Sequence, residues 1–339
     1  MSKKLKRKLH NLLPVTFKWW LQRLQLWFKA PIFSLFFSNK KINIQQTIIV
    51  ISFPRSGSSW IGSILGAGDE ALYLREPVTT PYLLENSGRV SVFDPEITKD
   101  QHQYYAHINN ALKGDAPKLS SIYAYPNQWN KNDKEKTLII KEVNPLAIKL
   151  FQKTNNNIIY LLRHPFSIAK SYRALQWNKT DLFTSKFQQS ELSLIQSLCP
   201  SIRNENFLFQ MGYLLGWIEA KTKLELSDEA IIIRYEDFCK APQDNFERLF
   251  KQSNLAFNEQ IQNTIAQSFS ADSKAAVGEF SLQRNNESVA YVKVTKEDEA
   301  GYIEVMTAYS RAIADHNKQY NTKLTSAYWA TCSLIKWID

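Results

Sequence analysis

The stretch from Thr47 to Leu65, TIIVISFPRSGSSWIGSIL, constrains the fold more than any other part of the chain. It opens with a β-branched apolar run that offers no polar face to water, the pattern of a strand covered on both sides. Phe53-Pro54-Arg55-Ser56-Gly57-Ser58-Ser59 interrupts the run with small and turn-forming residues, and an apolar helical pattern follows. A strand that turns through such a loop into a helix aims loop N–H groups and the helix N-terminus at one point, which makes an anion cradle. The loop has one glycine and lacks the Gly-Lys-Ser/Thr ending that holds a triphosphate and its magnesium. Gly57 permits close backbone approach, Ser58 and Ser59 add hydroxyl donors, and Arg55 adds a permanent planar cation. Serines at a helix start also cap it, so a purely structural turn is the competing reading.

The rest of the chain alternates in the same way. Short apolar runs predict strands at Ile48–Ser52, Leu72–Arg75, Leu138–Lys141, Ile158–Leu162 and Ile231–Arg234. Helical patterns cover Ser58–Leu65, Pro145–Lys153, Pro165–Leu175, Phe207–Leu226, Pro242–Lys251, Asn258–Phe269 and Lys296–Tyr320. Three of these begin with proline, which loses no hydrogen bond at a first helical position. Near-continuous apolar strands separated by helices predict an α/β fold with a central parallel sheet flanked by helices. Residues 86–135 and 176–204 are polar and irregular, and read as excursions over the ends of the strands. The chain then divides into an N-terminal segment, 1–45, one domain, 46–325, and a C-terminal tail, 326–339.

Charge separates the N-terminal segment from the rest. Residues 1–68 hold eleven Lys/Arg and no acid, whereas the remainder has 31 basic and 32 acidic residues. Phe17, Trp20, Leu21, Leu24, Trp27 and Phe28 lie at helical spacing, with Lys18, Arg23 and Lys29 mostly opposite. A basic, tryptophan-rich amphipathic helix suits an anionic membrane surface, and the same apolar face equally suits packing on the domain's own core. Charges interrupt every long apolar run, which argues against a transmembrane span. The basic bias does not continue into the body, which argues against a nucleic-acid partner. Cys199, Cys239 and Cys332 form no CxxC pair, and the five histidines have no metal-ligand spacing. These features suit a reducing, cytoplasmic setting, with residues 1–41 peripheral at the inner face of a membrane, and no metal site.

Two further segments carry chemistry. In NIIYLLRHPFSIAKSYRAL, Arg163 ends a strand, Pro165 opens a helix and Ser171 lies two turns on, while His164 reads as structural. In IIIRYEDFCKAP, Arg234, Tyr235, Glu236 and Asp237 follow another strand directly. Taken alone, each is also explained as a charged strand end leading into a capped helix. Together with FPRSGSSWIGSIL they resemble, in order and spacing, the signature set of sulfotransferases that use 3′-phosphoadenosine 5′-phosphosulfate (PAPS). The resemblance covers roughly residues 46–320, and Arg55 with the Ser-Ser pair is closer to the carbohydrate and bacterial members.

The resemblance implies a P-loop-like fold whose loop, Arg55, Ser56, Gly57, Ser58, Ser59 and Trp60, holds the 5′-phosphosulfate. Arg163 and Ser171 would hold the 3′-phosphate, Tyr235 would lie on the adenine side, and Arg284 would close over the 3′-phosphate. Arg55 would meet charge developing on the bridging oxygen, a task that needs no metal. Sulfuryl transfer also needs a base for the acceptor hydroxyl. Glu76, in LYLREPVTT, is the first candidate, and Glu142, in LIIKEVNPL, is the second. Glu76 follows Arg55 by 21 residues, which suits a return to a neighbouring strand end. Glu142 is expected to orient Lys141 or the acceptor, and Lys141 is a second cation for the departing sulfuryl group. Cytosolic relatives carry a histidine where Val143 stands, so a histidine base there is excluded. A structural carboxylate paired with an arginine is the other reading of Glu76. The acceptor is expected to be a hydroxyl of a glycan or glycolipid. A nucleotide-dependent kinase and a non-catalytic, membrane-attached nucleotide-binding module are the alternatives. The missing Gly-Lys-Ser/Thr weighs against the first, and retention of Arg55 and both carboxylates against the second.

Overall fold

The structure is a computed structural model that describes residues 44–86, 91–95, 101–114, 135–154, 157–177, 182–269, 291–325, 329 and 335–338. The N-terminal residues 1–43 and Arg284 lie outside the described residues.

β1 (Ile44–Ser52), β2 (Ala71–Arg75), β3 (Lys136–Glu142), β4 (Asn157–Leu162) and β5 (Ile231–Arg234) form one sheet in the order β2-β3-β1-β4-β5. Every ladder in it is parallel. β1 is central because its apolar run has two buried faces. Ile48 and Val50 pack with Trp60, Ile64 and Phe246 on one side. Ile49 and Ile51 pack with Leu74, Tyr104 and Ile148 on the other. The helices that supply these faces are α1 (Ser58–Leu65), α2 (Thr79–Glu85), α3 (Gln101–Leu112), α4 (Ile148–Gln152), α5 (Pro165–Ala174), α6 (Gln189–Leu198), α7 (Phe207–Glu225), α8 (Tyr235–Lys240), α9 (Pro242–Gln252), α10 (Glu259–Ser268) and α11 (Glu299–Tyr320). Pro165 and Pro242 occupy first helical positions, and Pro145 opens a 3₁₀ turn leading into α4.

A further core joins α5, α7 and α11 around Phe166, Leu214, Trp217 and Tyr309. α7 and α11 approach closely because Gly212 and Gly216 face the carbonyl oxygens of Val305 and Tyr309. A Cβ added at either position would lie 2.3 or 2.4 Å from those oxygens.

The structure differs from the sequence pattern at several places. α3 and α6 lie inside the two stretches expected to be irregular. Their buried stripes are sparse, Tyr104, Ile108 and Ala111 in one and Leu192 and Ile195 in the other, so hydrophobic periodicity is weak. β6 (Val292–Thr295) and β7 (Ile335–Ile338) pair in parallel as a small second sheet, so the last helix starts at Glu299 and not Lys296. β2 is not next to β1. The crossover through α1 passes over the position that β3 fills, so Lys141 and Glu142, not Glu76, stand at the end of the strand adjacent to β1. No helix among the described residues is long and apolar enough to cross a membrane.

Candidate active site

A parallel sheet brings all its strand ends to one edge, and the connections leave β1 and its neighbour β4 toward opposite sides of the sheet, which is where open α/β sheets hold ligands. Along that edge stand Arg75 at the end of β2 and Glu76 after it, Lys141 and Glu142 at the end of β3, the loop after β1, Arg163 after β4 and Tyr235 after β5. Strands lie about 4.8 Å apart, so the end of β2 is roughly 10 Å from the end of β1.

The loop keeps its shape through backbone conformation and packing. Ser56 N–H donates to the Phe53 carbonyl at 3.2 Å, and Trp60 N–H donates to the Gly57 carbonyl at 3.0 Å. Arg55 and Gly57 have φ of 72° and 90°, the left-handed region. Backbone alternating in this way turns successive N–H groups inward. Gly57 is needed for a second reason. A Cβ there would lie 2.3 Å from the Tyr235 ring. Ser52 Oγ donates to Ser58 Oγ at 2.8 Å, tying the helix start to the strand. Ser56 is buried and its hydroxyl has no hydrogen-bond partner. The Trp60 indole is fully buried and donates to Ser268 Oγ at 3.0 Å, amid the rings of Tyr235, Phe246 and Phe269. It therefore builds the floor beneath the loop.

Arg55, Arg163, Ser171 and Tyr235 come together. Arg55 Nε donates to Ser171 Oγ on α5 at 2.9 Å. Arg163 Nη1 donates to the Arg55 carbonyl at 2.6 Å, and its guanidinium carbon lies 4.8 Å from the centre of the Tyr235 ring. Arg163 Nε is buried without a partner. Glu236, which pattern reasoning passed over as part of a charged strand end, backs this arginine. It is buried and accepts the His164 N–H at 3.0 Å. Burial pushes its carboxyl up, and Arg163 opposes that shift. Burial and Arg163 push His164 down to about 3, so its ring is neutral, and Nδ1 accepts the Phe166 N–H in the first turn of α5.

The other end of the edge holds a compensated charge pair. Lys141 Nζ donates to Glu76 Oε1, Thr80 Oγ1 donates to Glu76 Oε2 at 3.0 Å, and Glu76 N–H donates to the Lys141 carbonyl at 2.7 Å. Burial would raise the Glu76 carboxyl, but the Lys141 ammonium, with Arg75 and the Thr80 hydroxyl, holds it below the usual glutamate range. Glu76 pairs with a lysine from a non-adjacent part of the chain, and its φ is 51°. Glu142 points to the opposite face of β3, is fully buried, and accepts the Val78 and Thr79 N–H groups at 2.7 and 3.3 Å. The contribution of Glu236 has no local signature in sequence, since it depends on strand order, whereas Thr80 lies only four residues from Glu76.

Burial pushes the Glu142 carboxyl from the ordinary 4.5 up to about 7, against the Thr79 and Val78 N–H bonds. Between those values the unfolded chain is ionised at this position while the folded chain keeps the proton, so stability falls as pH rises through the window. Chemical denaturation across this range is expected to show a shallower fall in Glu142→Gln than in the wild type. Equal slopes would contradict a raised folded-state value.

A family model for the sulfotransferase domain matches residues 45–308. Among solved structures, the chain is similar to the sulfotransferase domain of the curacin biosynthetic pathway, at 17% identity and a TM-score of 0.43, covering 84% of this chain and 100% of that one. It is also similar to the sulfotransferase domain of the Synechococcus PCC 7002 olefin synthase, at 16% identity and a TM-score of 0.40, covering 84% and 99%. A mouse sulfotransferase, SULT7A1, complexed with PAP is 14% identical with a TM-score of 0.37, covering 82% and 90%. No curated protein matches the chain at a significant level. The family model takes in all five strands of the central sheet and every residue of the edge described above, so the chain belongs to the sulfotransferase family, whose members are transferases that move a sulfuryl group.

Proposed function

We propose that this sulfotransferase takes its sulfuryl group from PAPS and passes it to a hydroxyl of a glycan or glycolipid by in-line displacement. The observation that carries this reading is the convergence of Arg55, Arg163 and Ser171 on a strand-to-helix loop whose backbone turns inward. The donor set fits a nucleotide with phosphate at both ends. Ser56 Oγ and Arg163 Nε are buried donors without a partner, and an anion is what completes such groups. When bound, PAPS supplies the electrophilic sulfur.

The residues divide the work by position. Backbone N–H groups of residues 55–59, with Ser56, Ser58 and Ser59, bind the 5′ group, and the Trp60 indole supports them from below. Arg55 meets the negative charge that grows on the bridging oxygen as the bond to sulfur breaks. Arg163 and Ser171 bind the 3′-phosphate, Tyr235 bounds the adenine side, and Arg284 closes over the 3′-phosphate. Lys141 ends the strand next to the loop, where its ammonium can turn toward the sulfuryl oxygens. When it does, Glu76 loses the charge that holds its carboxyl low and becomes a stronger base. The acceptor hydroxyl gives its proton to Glu76 as its oxygen bonds to sulfur. Positioning and charge stabilisation supply most of the acceleration, as expected where the protein forms no covalent bond.

The enzyme should therefore turn over PAPS without magnesium, detected as sulfated acceptor by mass spectrometry across a panel of hydroxyl compounds. Glu76→Gln should bind nucleotide as the wild type does and lose roughly 10²-fold or more in turnover. A fully active Glu76→Gln removes the base assignment.

Residues 1–41 are proposed to rest on anionic lipid at the cytoplasmic face of a membrane. Deleting them should abolish flotation with vesicles of anionic lipid and leave turnover of a soluble acceptor intact. Insoluble, inactive protein after the deletion would favour packing of this segment on the domain.

A further inference from the structure

The turn that carries Glu76 is held only in part by its own residues, through Thr80. Glu76 has φ 51°, a conformation that side-chain-bearing residues disfavour, and Pro77 after it disfavours helical backbone at residue 76. α2 begins three residues later, and its N-cap, Val78, has no side-chain acceptor for the first N–H groups of the helix. Those groups are satisfied from another strand. Glu142 Oε1 accepts Val78 N–H at 2.7 Å and Thr79 N–H at 3.3 Å across 64 and 63 residues of chain. Its neighbour Lys141 holds the same turn at Glu76, through its carbonyl and its ammonium.

We propose that Glu142 is a positioning residue, which fixes the Glu76 carboxylate through the backbone of the turn and touches neither substrate. This inference rests on the reading of Glu76 as the base. The strand alternation of β3 supports it. Lys141 faces α1, where its Cβ is a neighbour of Gly62, and Glu142 faces the opposite layer with α2 and α3. Glu142 is fully buried there, and Oε2 has no partner. Polar groups lie near it within an otherwise apolar layer. Tyr104 from α3 bonds Thr79 Oγ1 at 3.1 Å, Asn144 Nδ2 lies 3.4 Å from the same tyrosine hydroxyl, and Glu76 and Lys141 act on Glu142 through their charges. Thr79 is thus held twice, at its N–H by Glu142 and at its hydroxyl by Tyr104. Losing either hold would free the turn to shift.

Reach and charge can be separated at this position. Glu142→Gln keeps an oxygen at the same reach and loses the charge. Glu142→Asp keeps the charge and is one methylene too short to bond both amides. The proposal expects Glu142→Gln to retain most of the wild-type kcat and Glu142→Asp to lose about 10²-fold, the scale of an ångström-level misplacement. KM for PAPS should be unchanged in both, because the phosphate loop follows β1. Amide hydrogen exchange at Val78 and Thr79 should be as slow in Glu142→Gln as in the wild type, and faster in Glu142→Asp. An active Glu142→Asp with rapidly exchanging amides would overturn the proposal. So would an inactive Glu142→Gln whose amides stay protected, since the charge would then be what matters. An active Glu76→Gln would instead remove the base reading, and the exchange data would still report what holds the turn.

Discussion

The loop end of the site depends on one ring. Tyr235 lies where any side chain on residue 57 would have to go, so the loop can close over it only with glycine at that position. The same ring takes the Arg163 guanidinium on its face at 4.8 Å and meets the edge of Trp60 at a centroid distance of 5.8 Å. A partly desolvated cation–π contact contributes about 1 kcal/mol, and edge-on aromatic pairs a similar amount. The positional consequence is larger than the energy. The start of α1, the end of β4 and the start of α8 are fixed against one rigid group, so two arginines from segments 108 residues apart meet at a single carbonyl.

The edge of the sheet is electrically divided. At the loop, Arg55 and Arg163 lie together, with the Glu236 carboxyl behind Arg163. Two strands away, Glu76, Lys141 and Arg75 form a more nearly compensated group, in which the proton affinity of the carboxylate follows the position of the ammonium. Backbone strain gathers at both ends. Among the described side-chain-bearing residues with positive φ, Gln176, Asn254 and Asn321 follow helices, where the left-handed conformation is common. Arg55 and Glu76 have no such excuse, and each holds roughly 1–3 kcal/mol that the surrounding contacts must offset. Strain at the two residues assigned to the leaving oxygen and to the proton is consistent with a pre-organised site.

Much of this was legible in the chain itself. The β-branched runs had two buried faces, so they could only be sheet interior, and proline marked where helices begin. The loop after β1 was visible because its chemistry is local, lying within five residues. What could not be seen depends on strand order. Nothing in the spacing of Arg55 and Glu76 reveals that β3 intervenes, and so Lys141 was ranked below its place beside the loop. The partner of Glu76 and the bonds of Glu142 both cross more than sixty residues. The helices α3 and α6 escaped because helices on a sheet's margin need only two or three buried residues, too few to raise a periodic signal. The short sheet of β6 and β7 escaped because four-residue strands carry too little pattern.

On the proposed reading, this loop and Arg163 bind the two ends of one bisphosphorylated nucleotide. Titration calorimetry without magnesium tests it most directly, with adenosine 3′,5′-bisphosphate and adenosine 5′-phosphate as ligands for the wild type and Arg163→Ala. The bisphosphate should bind more tightly to the wild type, and Arg163→Ala should lose affinity chiefly for the bisphosphate, bringing the two ligands close together. Equal losses for both ligands, or no preference in the wild type, would contradict the assignment.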